Sequence, residues 1–238
     1  MSSEPAAGRI DAAGSSDRKD MPSQSRPGLL FIVSGPSGAG KTTVASAALR
    51  AFPEMIMSVS ATTRAPREGE LDGIEYRFVD DQAFDAMVLR GELAEWAVVH
   101  GYRYGTPRAP IETAMAAGHD VLLDIDVQGA AQLRNTFPSA ITVFLLPPDR
   151  ATMEERLRGR GTDSEATVQR RLENACREIA RAAEYHHVIV NRSRPQAIAE
   201  FEAIVRDAQR FGADIPRRLG GMTEEELARL LRSFEEPA

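Results

Sequence analysis

A chain of 238 residues, 42% hydrophobic and 27% charged, has apolar surface enough for a sizeable core, which excludes a disordered or fibrous polymer. Its net charge of −6 argues against broad binding of nucleic acid or of an anionic membrane, so any positive surface must be local. No apolar run approaches about 18 residues, the N-terminus lacks a signal peptide's apolar centre, and the single cysteine, Cys176, has no intramolecular disulfide partner, so a cytoplasmic protein is expected.

Residues 1–26 are rich in Ser, Ala, Pro, Gly and Asp with almost no large apolar side chain, and predict a disordered tail. The run Leu29-Leu30-Phe31-Ile32-Val33 then reads as a buried strand. It leads into Gly35-Pro36-Ser37-Gly38-Ala39-Gly40-Lys41-Thr42-Thr43, and residues 44–50 read as a helix. Strand, Gly-x-x-x-x-Gly-Lys-Thr and helix in that order make a P-loop: glycines let the backbone N–H groups converge on an anion, and the helix N-terminus adds partial positive charge. Lys41 is expected to reach the β- and γ-phosphates of a nucleoside triphosphate, with the Thr42 hydroxyl a ligand for Mg²⁺. Of 29 Lys and Arg residues only Lys19 and Lys41 are lysine, so a compact ammonium is retained where a planar guanidinium would not fit.

Phe52-Pro53 ends that helix, and residues 55–60 read as a short strand. A loop of small polar residues follows, with Arg64 and Arg67 around Pro66, suited to gripping an anion by charge-assisted bonds. Residues 81–90 carry Phe84, Met87 and Val88 at helical spacing. Residues 93–100 and 102–104 read as strands meeting at Gly101, and residues 110–117 as a helix ended by Gly118. The apolar run 119–125 predicts a central parallel strand ending at Asp124 and Asp126 beside a ligand crevice, and 140–146 predicts the next strand. Asp124 is a candidate for contact with Mg²⁺ through water or for pairing an arginine. Residues 150–171 hold six arginines against four acids, as a solvated helical hairpin would. The histidines show no metal-ligand spacing, and His186-His187 opens a strand before Val188-Ile189-Val190. A closing amphipathic helix is expected over 196–211. Beyond it Thr223-x-x-Glu226 predicts a capping box, with Leu227, Leu230, Leu231 and Phe234 on one face; the packing partner of that face is left open.

The P-loop, Ser58-x-Ser60-x-Thr62-Thr63-Arg64-x-Pro66-Arg67-x-Gly69-Glu70-x-x-Gly73-x-x-Tyr76, Glu95-Trp96, 101–106, Asp124-Ile125-Asp126-x-Gln128-Gly129, 157–162 and 188–191 together resemble guanylate kinases, over roughly residues 28–212. The resemblance implies an α/β fold, a P-loop NTPase-type parallel sheet flanked by helices, with an inserted GMP-binding module and a helical lid. It divides the chain into the tail (1–26), a kinase-like domain (27–216) and a C-terminal extension (217–238). Within the domain the core is 27–59, 111–148 and 176–216, the module 60–110 and the lid 149–175. It implies Arg64, Arg67, Tyr76 and Tyr104 around the GMP phosphate, and Ser60, Glu95, Thr106 and Asp126 reading guanine. The Glu95 carboxylate would accept from N1–H and the 2-amino group, while the Ser60 and Thr106 hydroxyls donate to O6. Arg156, Arg160 and Arg171 would be the lid's phosphate-facing residues. Asn191 would lie near the adenine of ATP, with Arg192 where an acidic residue often follows.

The implied reaction is ATP + GMP ⇌ ADP + GDP with Mg²⁺, extending to dGMP. Lys41, Arg64, Arg67 and the lid arginines supply charge, and no general base is needed because the phosphate nucleophile is already anionic. Two other readings share parts of this pattern: a P-loop kinase acting on a different phosphorylated acceptor, and a non-catalytic interaction module of the same fold. Either a monomer or a homo-oligomer is compatible with the sequence.

Overall fold

The computed structural model describes residues 26–99, 101–159 and 165–234, so the expected tail lies outside the described residues except for Arg26. The chain runs β1 (Leu30–Ser34), α1 (Lys41–Ala51), β2 (Ile56–Met57), β3 (Ala61–Thr62), β4 (Arg77–Phe78), α2 (Asp81–Leu89), β5 (Leu93–Val99) and β6 (Tyr102–Pro107). Then come α3 (Arg108–Ala116), β7 (Val121–Asp124), α4 (Val127–Thr136), β8 (Ile141–Leu146), α5 (Arg150–Arg158) and α6 (Glu165–Ile179). A 3₁₀ turn, β9 (His187–Val190), α7 (Arg194–Phe211), β10 (Arg218–Leu219) and α8 (Glu224–Ser233) complete it. Among the described residues, one sheet has the order β10-β9-β8-β1-β7-β2 with every pairing parallel.

Its inner strands are continuous apolar runs because helices cover both faces. Alternation along a strand sends successive side chains to opposite layers. Leu30 and Ile32 of β1 join Val121, Leu123, Phe144 and Leu146 beneath α3 to α6, whereas Phe31 and Val33 join Leu122, Val143 and Leu145 beneath α1 and α7. β1 lies between β7 and β8, so the chain leaves it for α1 at the centre of the sheet's C-terminal edge.

A second sheet, β4-β3-β6-β5, is built from residues 61–107, with β5 and β6 antiparallel and Gly101 between them at φ 87°. Helix α2 closes one side through Phe84 and Met87. β6 extends to Pro107, longer than expected, because its pairing with β5 continues to Leu93. α3 starts at Arg108, so Pro110 sits in the first turn, where its missing N–H costs nothing. Likewise α7 begins two residues early because Ser193 caps it, its Oγ accepting from Gln196 N–H.

α5 and α6 form the charge-rich pair of helices, tied together by Arg158, which donates to Glu154 on its own helix and to Glu165 on the next at 2.5 and 2.7 Å. α6 continues unbroken through residue 175 to Ile179. The capping box at Thr223 and Glu226 is present, and the apolar face of α8 packs on its own chain. Leu227 and Phe234 are buried with Leu157, Leu172 and Ile179. The Phe234 carbonyl accepts from Arg150 Nη1 at 2.9 Å and from the Cys176 thiol at 3.2 Å. Phe234 is 0% exposed, so Phe234→Ala should lower stability by about 3–5 kcal/mol, read as a lower urea midpoint at unchanged m-value.

Candidate active site

Local backbone demands make the P-loop. Its curl places Gly40 at φ 95°, in the left-handed region, as the N-cap of α1, where a β-carbon would also lie 2.6 Å from the Asn191 amide nitrogen. Lys41, the first helical residue, folds back so that Nζ donates to the Gly35 carbonyl at 2.7 Å and reaches the Pro36 carbonyl at 3.5 Å. The ammonium thus stands inside the loop. Thr42 Oγ1 lies 3.4 Å from Asp124 Oδ2 at the end of β7. Burial raises the Asp124 carboxyl above its ordinary range, opposed by Lys41 and by the Thr42 hydrogen bond.

An open cleft of about 430 Å³ runs from this loop to the second sheet. P-loop residues 35–38 and 40–43 form one end, with the expected Ala39 wholly buried behind them; Asp124 to Asp126 form the floor, and Ser60, Arg64, Arg67, Tyr76, Glu95 and Tyr104 the other end. Arg171 and Glu178 of α6 face it from above. The two ends come from segments on either side of β2, so the cleft exists only because β3 to β6 are inserted between two strands of the main sheet.

Arg64 is 8% exposed and held by four bonds: Nη2 pairs with both oxygens of Glu70 at 2.8 and 2.9 Å, Nη1 donates to the Ala65 carbonyl and Nε to the Tyr104 hydroxyl. Its guanidinium lies 5.4 Å from the Tyr76 ring centre, and Tyr76 meets Tyr104 edge-on. Glu70 also accepts from Arg67 N–H at 2.7 Å, which with the Arg64 pair holds its carboxyl below the usual range. A buried cation held by a carboxylate and two tyrosines is preorganised for a dianion, with Arg67 at the cleft wall beside it.

Glu95 is 4% exposed, and Thr106 donates to its Oε1 at 2.5 Å. Burial pushes the Glu95 carboxyl up to about 7; the Thr106 hydrogen bond opposes the shift and the Asp126 charge adds to it. Thr106 is wholly buried behind Glu95 rather than lining the cleft, so in this arrangement its proton is directed to Glu95 and not to a ligand. Asp126 is the N-cap of α4, Oδ1 accepting from Gln128 N–H at 2.7 Å, and still lines the cleft. Ser60 is at the wall as expected.

Asn191 is buried with its side-chain amide donating to the Ala39 carbonyl at 2.7 Å, and its main-chain carbonyl accepts from Arg156 Nη2 at 3.2 Å. Both residues therefore brace the P-loop from behind. Arg160 lies outside the described residues. Two residues escaped sequence reading. Glu70 sits inside a quoted motif, but only folding reveals it as the Arg64 counter-ion. Glu178 falls seven residues after Arg171, two helical turns along the same face, a spacing that does show in the sequence. Its carboxyl is pushed up to about 7 by burial, against the pull of Lys41 and with Asp126 adding to the rise.

A P-loop facing, across one cleft, a buried arginine held by a carboxylate and two tyrosines, and a buried glutamate, defines the class: a P-loop phosphotransferase. Residues 28–208 match the family model described as Guanylate kinase. Relatives named guanylate kinase include one from Anaeromyxobacter dehalogenans, 52% identical over 76% of this chain and 80% of its own length. Another, from Syntrophotalea carbinolica, is 49% identical over 76% and 86%. The crystal structure of guanylate kinase from Anaplasma phagocytophilum superposes with a TM-score of 0.65 at 32% identity, covering 80% of this chain and 90% of that one. The chain belongs to the guanylate kinase family. Among the described residues no helix is long and apolar enough to cross a membrane.

Proposed function

We propose that this protein transfers the γ-phosphoryl group of ATP to GMP, giving ADP and GDP, and that it does so in the cytoplasm. The observation that carries the reading is the single cleft with the P-loop at one end and, at the other, a buried glutamate beside two arginines. A GMP phosphate oxygen attacks the γ-phosphorus; the new O–P bond forms as the bond to the bridging oxygen breaks, and ADP leaves with that electron pair. The nucleophile is already anionic, so the work left to the chain is positioning and neutralising charge.

P-loop N–H groups and Lys41 hold the donor phosphates. Arg64, Arg67, Tyr76 and Tyr104 hold the acceptor phosphate. Ser60, Glu95 and Asp126 read guanine, with Thr106 acting on Glu95. Asn191 and Arg156 stiffen the loop near the adenine side, and Arg171, with Arg160, covers the transferring group when the α5–α6 lid closes and water is excluded. Thr42 and Asp124 fit a magnesium ion: they are two hard oxygen donors 3.4 Å apart at the loop's mouth. Held by these two residues, magnesium would supply charge neutralisation at the donor phosphates.

An ADP-coupled assay over GMP, dGMP, AMP, CMP, UMP and a sugar phosphate tests the proposal. GMP should exceed AMP by at least about a hundredfold in kcat/KM. Preference for another acceptor would make this a different kinase on the same fold, and no turnover with any acceptor would make it a binding module.

A further inference from the structure

We propose that helix α4 is the seat that aims the base-reading carboxylate, with Gln132 and Gly129 as positioning residues for substrate selection. This rests on the reading of Glu95 given above.

β5 is the edge strand of its sheet, so the outward N–H and C=O groups on that edge have no strand partner. At Trp96, next to Glu95, both are taken by one side chain of α4. Gln132 Oε1 accepts from Trp96 N–H at 3.3 Å, and Gln132 Nε2 donates to the Trp96 carbonyl at 2.8 Å. A primary amide carries donor and acceptor side by side, as the peptide of a neighbouring strand would. On the other side of Glu95, the Thr136 hydroxyl faces the Ala94 carbonyl at 3.4 Å, its one proton shared with the Gln132 carbonyl of its own helix at 3.3 Å. The backbone is therefore held on both sides of the residue whose side chain must point at the base.

Gly129 supplies the floor. A β-carbon there would lie 2.4 Å from Glu95 Oε2 and 2.8 Å from its carboxyl carbon. The residue sits inside α4 and is not among the positive-φ glycines, so backbone conformation does not call for glycine. Alanine would be the better helix former, and the close approach of the carboxylate is what the missing side chain serves. Positions 129, 132 and 136 share one helical face. The adjoining face of α4 is anchored by Ala130 and Leu133, both fully buried in the main core. Asp126 caps the same helix, so both carboxylates at the base recess are registered to one rigid element.

The decisive variant is Gln132→Leu, which removes both bonds at nearly constant volume from an exposed position. KM for GMP should rise about tenfold, the yield of two lost backbone bonds, while kcat and KM for ATP stay within twofold. The preference for GMP over IMP, which lacks the 2-amino group, should shrink, because a loosely aimed carboxylate engages N1–H alone. In the Glu95→Gln background the same substitution should change nothing further. An unchanged GMP KM, or an effect that adds in full to that of Glu95→Gln, would overturn the inference. An unchanged GMP KM in Glu95→Gln itself would instead overturn the reading of Glu95 on which it rests.

Discussion

Lys41→Met is expected to lower kcat at least a hundredfold without unfolding the protein. Methionine keeps the length and apolar stem of lysine but removes the ammonium, which stands 2.7 Å from the Gly35 carbonyl inside the loop. With donor phosphates in place the ammonium exchanges carbonyl partners for phosphate oxygens, and its charge counts most when charge shifts toward the bridging oxygen. Removing one such preorganised group from a water-poor site costs on the order of 3 kcal/mol at the transition state. The fold should survive, because Val44, Ala45 and Ala48 rather than Lys41 bury α1. Lys41→Arg should be nearly as poor, since a guanidinium fork does not fit the space inside the loop. Single-turnover rates with saturating ATP and GMP, with thermal unfolding alongside, are the measurement; near-normal turnover in Lys41→Met refutes the assignment.

Glu95→Gln should be nearly as damaging, but on the acceptor side. The substitution replaces an acceptor oxygen with an NH₂ that meets the N1–H or 2-amino group of guanine donor to donor. Loss of a charge-assisted pair and an opposed donor together are worth about 3 kcal/mol, a fall of roughly a hundredfold in kcat/KM for GMP with KM for ATP unmoved. A pH profile separates the charge from the shape. Burial raises the Glu95 carboxyl to about 7, and the form that accepts from guanine is ionised, so GMP binding expels a proton. Affinity for GMP should therefore fall as pH drops below about 7, by up to tenfold per unit. Protonation of the GMP phosphate, with a pKa near 6, adds to this in both proteins, and the part missing from Glu95→Gln belongs to the carboxyl. The same raised value means that the unliganded fold keeps a proton its unfolded chain has lost, so the Glu95 contribution to stability declines as pH rises from about 4.5 to 7. A profile identical in the two proteins would remove Glu95 from base recognition.

The chain by itself determined whatever depends on neighbours in sequence. A strand, a glycine-rich curl and a helix start must occur consecutively to cradle phosphate, so residues 29–50 are legible without any partner. The apolar runs that become β7, β8 and β9, the Thr223 capping box and the arginines around Pro66 are local in the same sense. Resemblance extended this to Glu95 and Asp126, because side-chain types in fixed order carry a shared site even when they are far apart. Tertiary structure alone decided which groups meet. Asn191 and Ala39, 152 positions apart, share a hydrogen bond that makes the asparagine a brace for the P-loop. Thr106 turns to Glu95 instead of the cleft, Glu70 closes on Arg64, and Glu178 arrives at the wall of the cleft that Lys41 and Asp126 also line. The apolar face of α8 meets α5 and α6, where Leu227 and Phe234 share a core with Leu157, Leu172 and Ile179 and the Phe234 carbonyl accepts from Arg150 and Cys176. Hydrogen-bonding capacity is written into each side chain, but its partner is chosen by the packing of the two layers, a property of the whole chain that no local pattern contains.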